Sequence, residues 1–82
     1  MMLTILYFAK ARDLAHTSKE RVEFVADPPT LRHLLAELST RHPELRGAVD
    51  RMRVARNEAF AELDELVEHD DVIALIPPVA GG

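Results

Sequence analysis

The sequence predicts an α+β fold: a mixed sheet of about five strands with one main helix on one face. Three observations carry that prediction. The two most continuously apolar, β-rich stretches stand near opposite ends of the 82-residue chain, at residues 3–8 and 72–76. A single stretch, opening at Leu31, repeats its leucines with a clear helical period. Between that helix and the last apolar stretch lie short segments separated by turn residues. A chain of 82 residues has room for one small domain with a modest core. The hydrophobic fraction of 48% suits a globular chain, and 29% charged residues give it a solvated surface.

Residues 3–8, Leu-Thr-Ile-Leu-Tyr-Phe, form the first expected strand, with Leu3, Ile5 and Tyr7 on one face and Leu6 and Phe8 on the other. Residues 9–19 turn polar and read as a connection with a short helical turn at residues 11–15. Residues 21–25 alternate, which predicts a half-exposed strand with Val22 and Phe24 inward and a hairpin with the first strand. Asp27-Pro28-Pro29-Thr30 breaks that strand and sets Thr30 as a helix N-cap. Leu31, Leu34, Leu35 and Leu38 then fall at i, i+3, i+4 and i+7, one apolar stripe, while Arg32, His33, Glu37 and Arg41 face water. His42-Pro43 ends the helix, because the residue before a proline avoids the helical region. One further turn is expected over residues 44–50, with Leu45 and Val49 inward. Residues 52–56 read as a third strand, Asn57-Glu58 as a turn and residues 59–61 as a short fourth strand. Residues 63–71 form a polar connection pinned by Leu63 and Leu66. Val72-Ile73-Ala74-Leu75-Ile76 is apolar on both faces and belongs in the sheet interior.

The first and last strands, being the most apolar, should be central and parallel neighbours, with the helix crossing one sheet face. This is the β-grasp, or ubiquitin-like, arrangement. One helix covers one face, so Leu6, Phe8, Phe60 and one set from residues 72–76 have little to bury against on the other. An uncovered apolar patch of this kind marks a protein partner unless loops close over it.

The division expected is a domain over residues 1–76 and an extended tail over residues 77–82. Pro77 and Pro78 fix φ and cannot donate to a ladder, so they end the strand and hold the next residues extended. Five residues beyond Pro77 reach roughly 16 to 18 Å, enough to enter a partner's pocket while the body stays outside. Gly81 and Gly82 lack a Cβ and make the tip as narrow as a polypeptide allows. An isolated Gly-Gly ending would read as a frayed terminus; the prolines before it favour a projecting arm.

Other chemistry has little support. The chain contains no cysteine, which removes disulfides, thiolate metal sites and any catalytic thiol. Sulfur chemistry, if present, cannot run on a side chain thiol. The four histidines, at positions 16, 33, 42 and 69, lack metal-ligand spacing and read as surface residues. Asp70-Asp71, without further oxygen ligands nearby, reads as a turn rather than a cation site. No Ser/His/Asp grouping or phosphate-cradling glycine loop occurs. A net charge of −4 argues against nucleic acid as partner, and Arg46, Arg51, Arg53 and Arg56, interspersed with acids, read as a solvated face. No apolar run approaches the ~18 residues of a membrane helix, and residues 3–9 lack the form of a signal peptide. A cytoplasmic protein with no membrane partner is expected.

Three segments carry a family resemblance: residues 7–14, Tyr-Phe-Ala-Lys-Ala-Arg-Asp-Leu; residues 54–58, Val-Ala-Arg-Asn-Glu; and residues 70–82, ending Pro-Pro-Val-Ala-Gly-Gly. They resemble the small, sulfur-carrying (MoaD-like) subunits of molybdopterin synthase, over essentially the whole chain. One departure is visible: His69 occupies a position where the family usually has glycine before the aspartate of the last turn. His69 must therefore either take a left-handed conformation or reshape that turn.

The resemblance implies that Gly82 is the catalytic position, with Gly81 beside it. A ubiquitin-activating-like adenylating enzyme would activate the Gly82 carboxylate with ATP and magnesium, and a sulfur donor protein would convert it to a thiocarboxylate. The large synthase subunit would then receive the tail and the sulfur would pass to cyclic pyranopterin monophosphate. Phe8, Arg12, Phe60, Leu75, Pro77, Pro78, Val79 and Ala80 are the implied partner contacts. No cofactor or metal is expected on this chain, which would be inactive alone, and two small plus two large subunits are implied. Three alternatives stand beside this: a thiamin-type sulfur carrier, a ubiquitin-like modifier that conjugates Gly82 to lysine, and a β-grasp interaction module whose tail is idle.

Overall fold

The computed structural model describes residues 1–78. Nine elements follow in order: β1 (Met2–Tyr7), α1 (Lys10–Ala15), β2 (Lys19–Glu23), α2 (Leu31–Arg41), 3-10 turns at Pro43–Leu45 and Val49–Arg51, β3 (Arg53–Arg56), β4 (Ala59–Phe60) and β5 (Val72–Ile76). The five strands form one sheet in the order β2-β1-β5-β3-β4. β1 and β5 pair in parallel, with Ile5 opposite Ile73, and all other pairings are antiparallel. The β-grasp arrangement expected from the sequence is the fold observed.

Helix α2 lies across one face. Thr30 caps it, its Oγ1 accepting from the His33 N–H at 3.2 Å, which satisfies one of the unpaired donors of the first turn. Leu31, Leu34, Leu35 and Leu38 are buried, meeting Leu3, Ile5, Tyr7, Val22, Val54, Ile73 and Leu75 from the sheet. Leu45 and Val49 extend this core from the 3-10 turns, and Ala11 and Ala15 from α1.

Three details differ from the sequence reading. Leu66 is 54% exposed and does not pin the long connection; its neighbour Val67 does, buried at 2% and held by its N–H donating to the Pro29 carbonyl at 2.8 Å. The left-handed residue of the last turn is Asp70, at φ 70°, rather than His69. His69 instead accepts the Met2 N–H on Nδ1 at 2.9 Å, and the positive φ falls on aspartate, a residue type that tolerates it. Of the histidines, His42 is half-buried rather than a surface residue, and the reason is its partner. Its Nε2 lies 2.6 Å from a Glu20 oxygen that also accepts the Tyr7 hydroxyl at 2.5 Å.

Candidate functional site

The site is the sheet face that α2 leaves open, together with the end of β5. Strand alternation decides its composition. Inward Ile5, Tyr7, Ile73, Leu75 and Val54 alternate with outward Leu6 and Phe8, Val72, Ala74 and Ile76, and Ala55. Phe60 of β4, opposite Ala55, completes the outer set. These outward side chains, with Glu58, line a shallow depression of about 240 Å³. Phe8 is 49% exposed and Phe60 58%, large apolar side chains standing in water.

The end of β5 is fixed from both sides. The Phe8 N–H donates to the Leu75 carbonyl at 3.2 Å, and Arg53 stands opposite Ile76. Pro77, half-buried, and Pro78, exposed, follow directly. Pro77 has no N–H, so the ladder cannot continue and the chain leaves the sheet here.

The start of β5 is fixed as firmly. Asp71 is 6% exposed and accepts from Arg56 Nε at 2.6 Å, Asn57 Nδ2 at 2.9 Å and the Glu68 N–H at 2.8 Å. Asn57 closes the arrangement, its Oδ1 accepting the Val72 N–H at 2.9 Å. Burial alone would raise the Asp71 carboxyl, but the bonds from Asn57, Arg56 and the Glu68 backbone outweigh it and hold the group below its ordinary value. Glu20 behaves alike. Desolvation opposes its charge, and hydrogen bonds from Tyr7 and His42 lower it nonetheless. Burial, and then the Glu20 contact, push the Tyr7 hydroxyl far above the usual phenol range.

The structure brings Phe8, Phe60 and the Ile76–Pro77 exit together. It does not bring Leu75 to this surface: its side chain is fully buried on the α2 side, because the period-2 register places Ala74 and Ile76 outward. Leu75 is therefore a core residue and not a partner contact. Arg12 is exposed on α1, which packs against Pro43–Leu45, and it does not line the open face. Val79, Ala80, Gly81 and Gly82 lie outside the described residues. Sequence reasoning missed the Asp71–Asn57–Arg56 clamp and the placement of Arg53, whose guanidinium carbon sits 3.6 Å from the Phe60 ring centroid. It also missed the backbone strain at the start of α1: Ala9 has φ 48° and ψ −123°, a region glycine favours, at the turn that follows Phe8.

Among the described residues no group of acids, histidines or cysteines could hold a metal ion. No described helix is long and apolar enough to cross a membrane. What the arrangement offers is an exposed apolar face and a strand anchored at both ends that runs into Pro77.

Fold and site together define a ubiquitin-like β-grasp domain. The chain belongs to the ThiS family, whose model matches residues 5–82. It is 33% identical to the molybdopterin synthase sulfur carrier subunit of Mycobacterium tuberculosis, over 98% of this chain and 96% of that one. It is 31% identical to the subunit of the same name from Chlamydomonas reinhardtii, over 100% of both chains. Among solved structures it is similar to SAMP1, small archaeal modifier protein 1 of Haloferax volcanii, with a TM-score of 0.89 and 31% identity over 100% of both chains.

Proposed function

We propose that this chain is the sulfur carrier subunit of molybdopterin synthase, donating sulfur from a thiocarboxylate at Gly82 to cyclic pyranopterin monophosphate. The observation that supports it most is full-length similarity to subunits of that name, in a chain whose central strand runs straight into Pro77. In this reading each part of the chain has one task. The sheet holds β5, β5 fixes where the chain leaves the sheet, and the prolines end the ladder there. The partner surface covers Phe8 and Phe60.

The chemistry follows from a tail without thiols. A carboxylate is a poor electrophile, so an adenylating partner resembling the ubiquitin-activating enzymes joins the Gly82 carboxylate to AMP, using ATP and magnesium and releasing pyrophosphate. A sulfur donor protein supplies the nucleophile, which displaces AMP and leaves a C-terminal thiocarboxylate. Inside the large subunit the thiocarboxylate sulfur attacks a carbon of the pterin precursor and displaces an oxygen substituent, which joins the tail to the pterin as a thioester; water then cleaves the acyl–sulfur bond, leaving sulfur on the pterin and the carboxylate on Gly82. The chain contributes proximity rather than a catalytic side chain. It acts in the cytoplasm, in an assembly of two small and two large subunits, and binds no cofactor of its own.

A second reading, a ubiquitin-like modifier that conjugates Gly82 to lysine, is favoured by the likeness to SAMP1. Intact mass separates carriers from idle tails. After incubation with the activating enzyme, ATP and a sulfur donor, the mass should rise by the difference between sulfur and oxygen, and an unchanged mass would sink the carrier reading. Adding the large subunit with cyclic pyranopterin monophosphate should then restore the original mass. Accumulation of lysine conjugates instead would favour the modifier.

A further inference from the structure

We propose that Arg53 is a specificity-determining contact of the open face, and that the partner protein covering this face sets a carboxylate against it. The inference rests on the docking role given to that face above and adds the chemistry of what must meet it.

Register places Arg53 there. It stands opposite Ile76 and two residues from Ala55, so strand parity gives it the outward face, where it lines the hollow that adjoins the open-face depression and shares Phe60 with it. Its guanidinium rests on the exposed Phe60 ring, 3.6 Å from the centroid, a cation–π contact that holds a long side chain in place. Among the described residues Arg21 pairs with Asp70, Arg32 with Asp64, Arg41 with Glu20 and Glu37, and Arg56 with Asp71, while Arg12, Arg46 and Arg51 make no ion pair; what sets Arg53 apart is its place beside Ile76 and Phe60. Among the described residues Arg53 makes no ion pair, although Asp50 and Glu62 border the same edge of the sheet. Lys19, opposite Leu6 and exposed, puts a second cation without an ion pair on the other flank of this face.

A stacked guanidinium keeps its N–H fork available and has already lost much of its rotamer freedom, so ordering it on docking costs little. A partner that is only apolar would bury that charge unpaired beside Ile76, which is expensive. A partner that receives the chain beyond Pro77 passes close to Arg53, because Arg53 stands opposite Ile76, the last residue of β5. The fitting surface is therefore an apolar patch for Phe8, Phe60 and Ile76 with an aspartate or glutamate at its border.

The test uses the full chain and the purified large subunit of molybdopterin synthase from the same organism. Sedimentation of the chain alone comes first: a dimer that dissociates in Phe8→Asp assigns the face to a second copy and overturns the inference. Association rates are then compared for the parent, Arg53→Gln and Phe8→Asp across a range of salt, with melting temperatures confirming that each is folded. Arg53→Gln should slow association about fivefold at low salt and flatten its salt dependence. Phe8→Asp should lose binding at every salt concentration. Loss in Phe8→Asp with an unchanged rate and salt slope in Arg53→Gln overturns the inference and leaves the docking face standing. Parent-like binding by Phe8→Asp removes the docking face itself, and the inference with it.

Discussion

On one side of the sheet Leu3, Ile5, Val54, Ile73 and Leu75 are buried beneath α2, while on the other Phe8, Phe60 and Val72 stand exposed. β1, β3 and β5 run through both surfaces, separated only by the parity of each position, and β4 adds Phe60 to the open one. One helix supplies one apolar stripe, so one face can be closed within the chain and the other cannot. Burial of a leucine or isoleucine stabilises by roughly 1.5–3 kcal/mol, so the closed face carries the fold. The open face contributes little to folding and is available for recognition. Stability and partner binding should therefore respond to different substitutions.

The largest effect on folding should come from the closed face. Leu38→Ala deletes a fully buried side chain and should cost about 2–5 kcal/mol in chemical denaturation, with little effect on association once the protein is folded. Asp71→Asn should follow, at about 1–3 kcal/mol, because the buried cluster loses its charge and one of its two acceptor oxygens, setting an NH2 against donors from Arg56, Asn57 or Glu68. It also alters acid sensitivity. The Asp71 and Glu20 carboxyls are held below their ordinary values, so the stability they contribute is present above the unfolded-state values of about 4. It is lost as the pH falls through their lower folded-state values. Denaturation from pH 7 down to 2 should therefore show a shallower acid decline in Asp71→Asn than in the parent. Thr30→Ala, which removes the α2 cap, should cost about 1 kcal/mol. The smallest change in stability belongs to the open face: Phe60→Asp should shift folding by no more than about 0.5 kcal/mol while weakening association with the large subunit. If Phe60→Asp unfolds the chain as Leu38→Ala does, the division between the faces fails.

Most of this division was legible from residue order. Strand parity put Leu3, Ile5 and Tyr7 together and Leu6 and Phe8 apart from them, and the leucine spacing fixed the inner stripe of α2. Within β5, however, every residue is apolar, so periodicity defines two sets without saying which meets the helix. The clamp at Asp71 settles that by fixing the start of the strand, and Leu75 turns inward as a result. The connection before it has no period at all. Whether Leu66 or Val67 anchors it depends on a backbone bond to Pro29, far away in sequence. The Tyr7–Glu20–His42 cluster was hidden for the same reason, since its members come from three separate elements. Arg53 was read as one of several solvated arginines, and only the β3–β4 pairing shows that an aromatic ring lies within its reach.

The parallel pairing of β1 with β5 has a consequence in time. These strands are separated by nearly the whole domain, and such long-range pairings carry a large closure entropy, roughly that of a seventy-residue loop, before any contact compensates for it. A nascent chain whose last strand is still inside the ribosome has half a sheet and no place for Ala74 or Ile76 beside Phe8. The open apolar face and the strand that runs into Pro77 thus come into existence in one event, when β5 inserts between β1 and β3. An unfinished chain offers a partner neither.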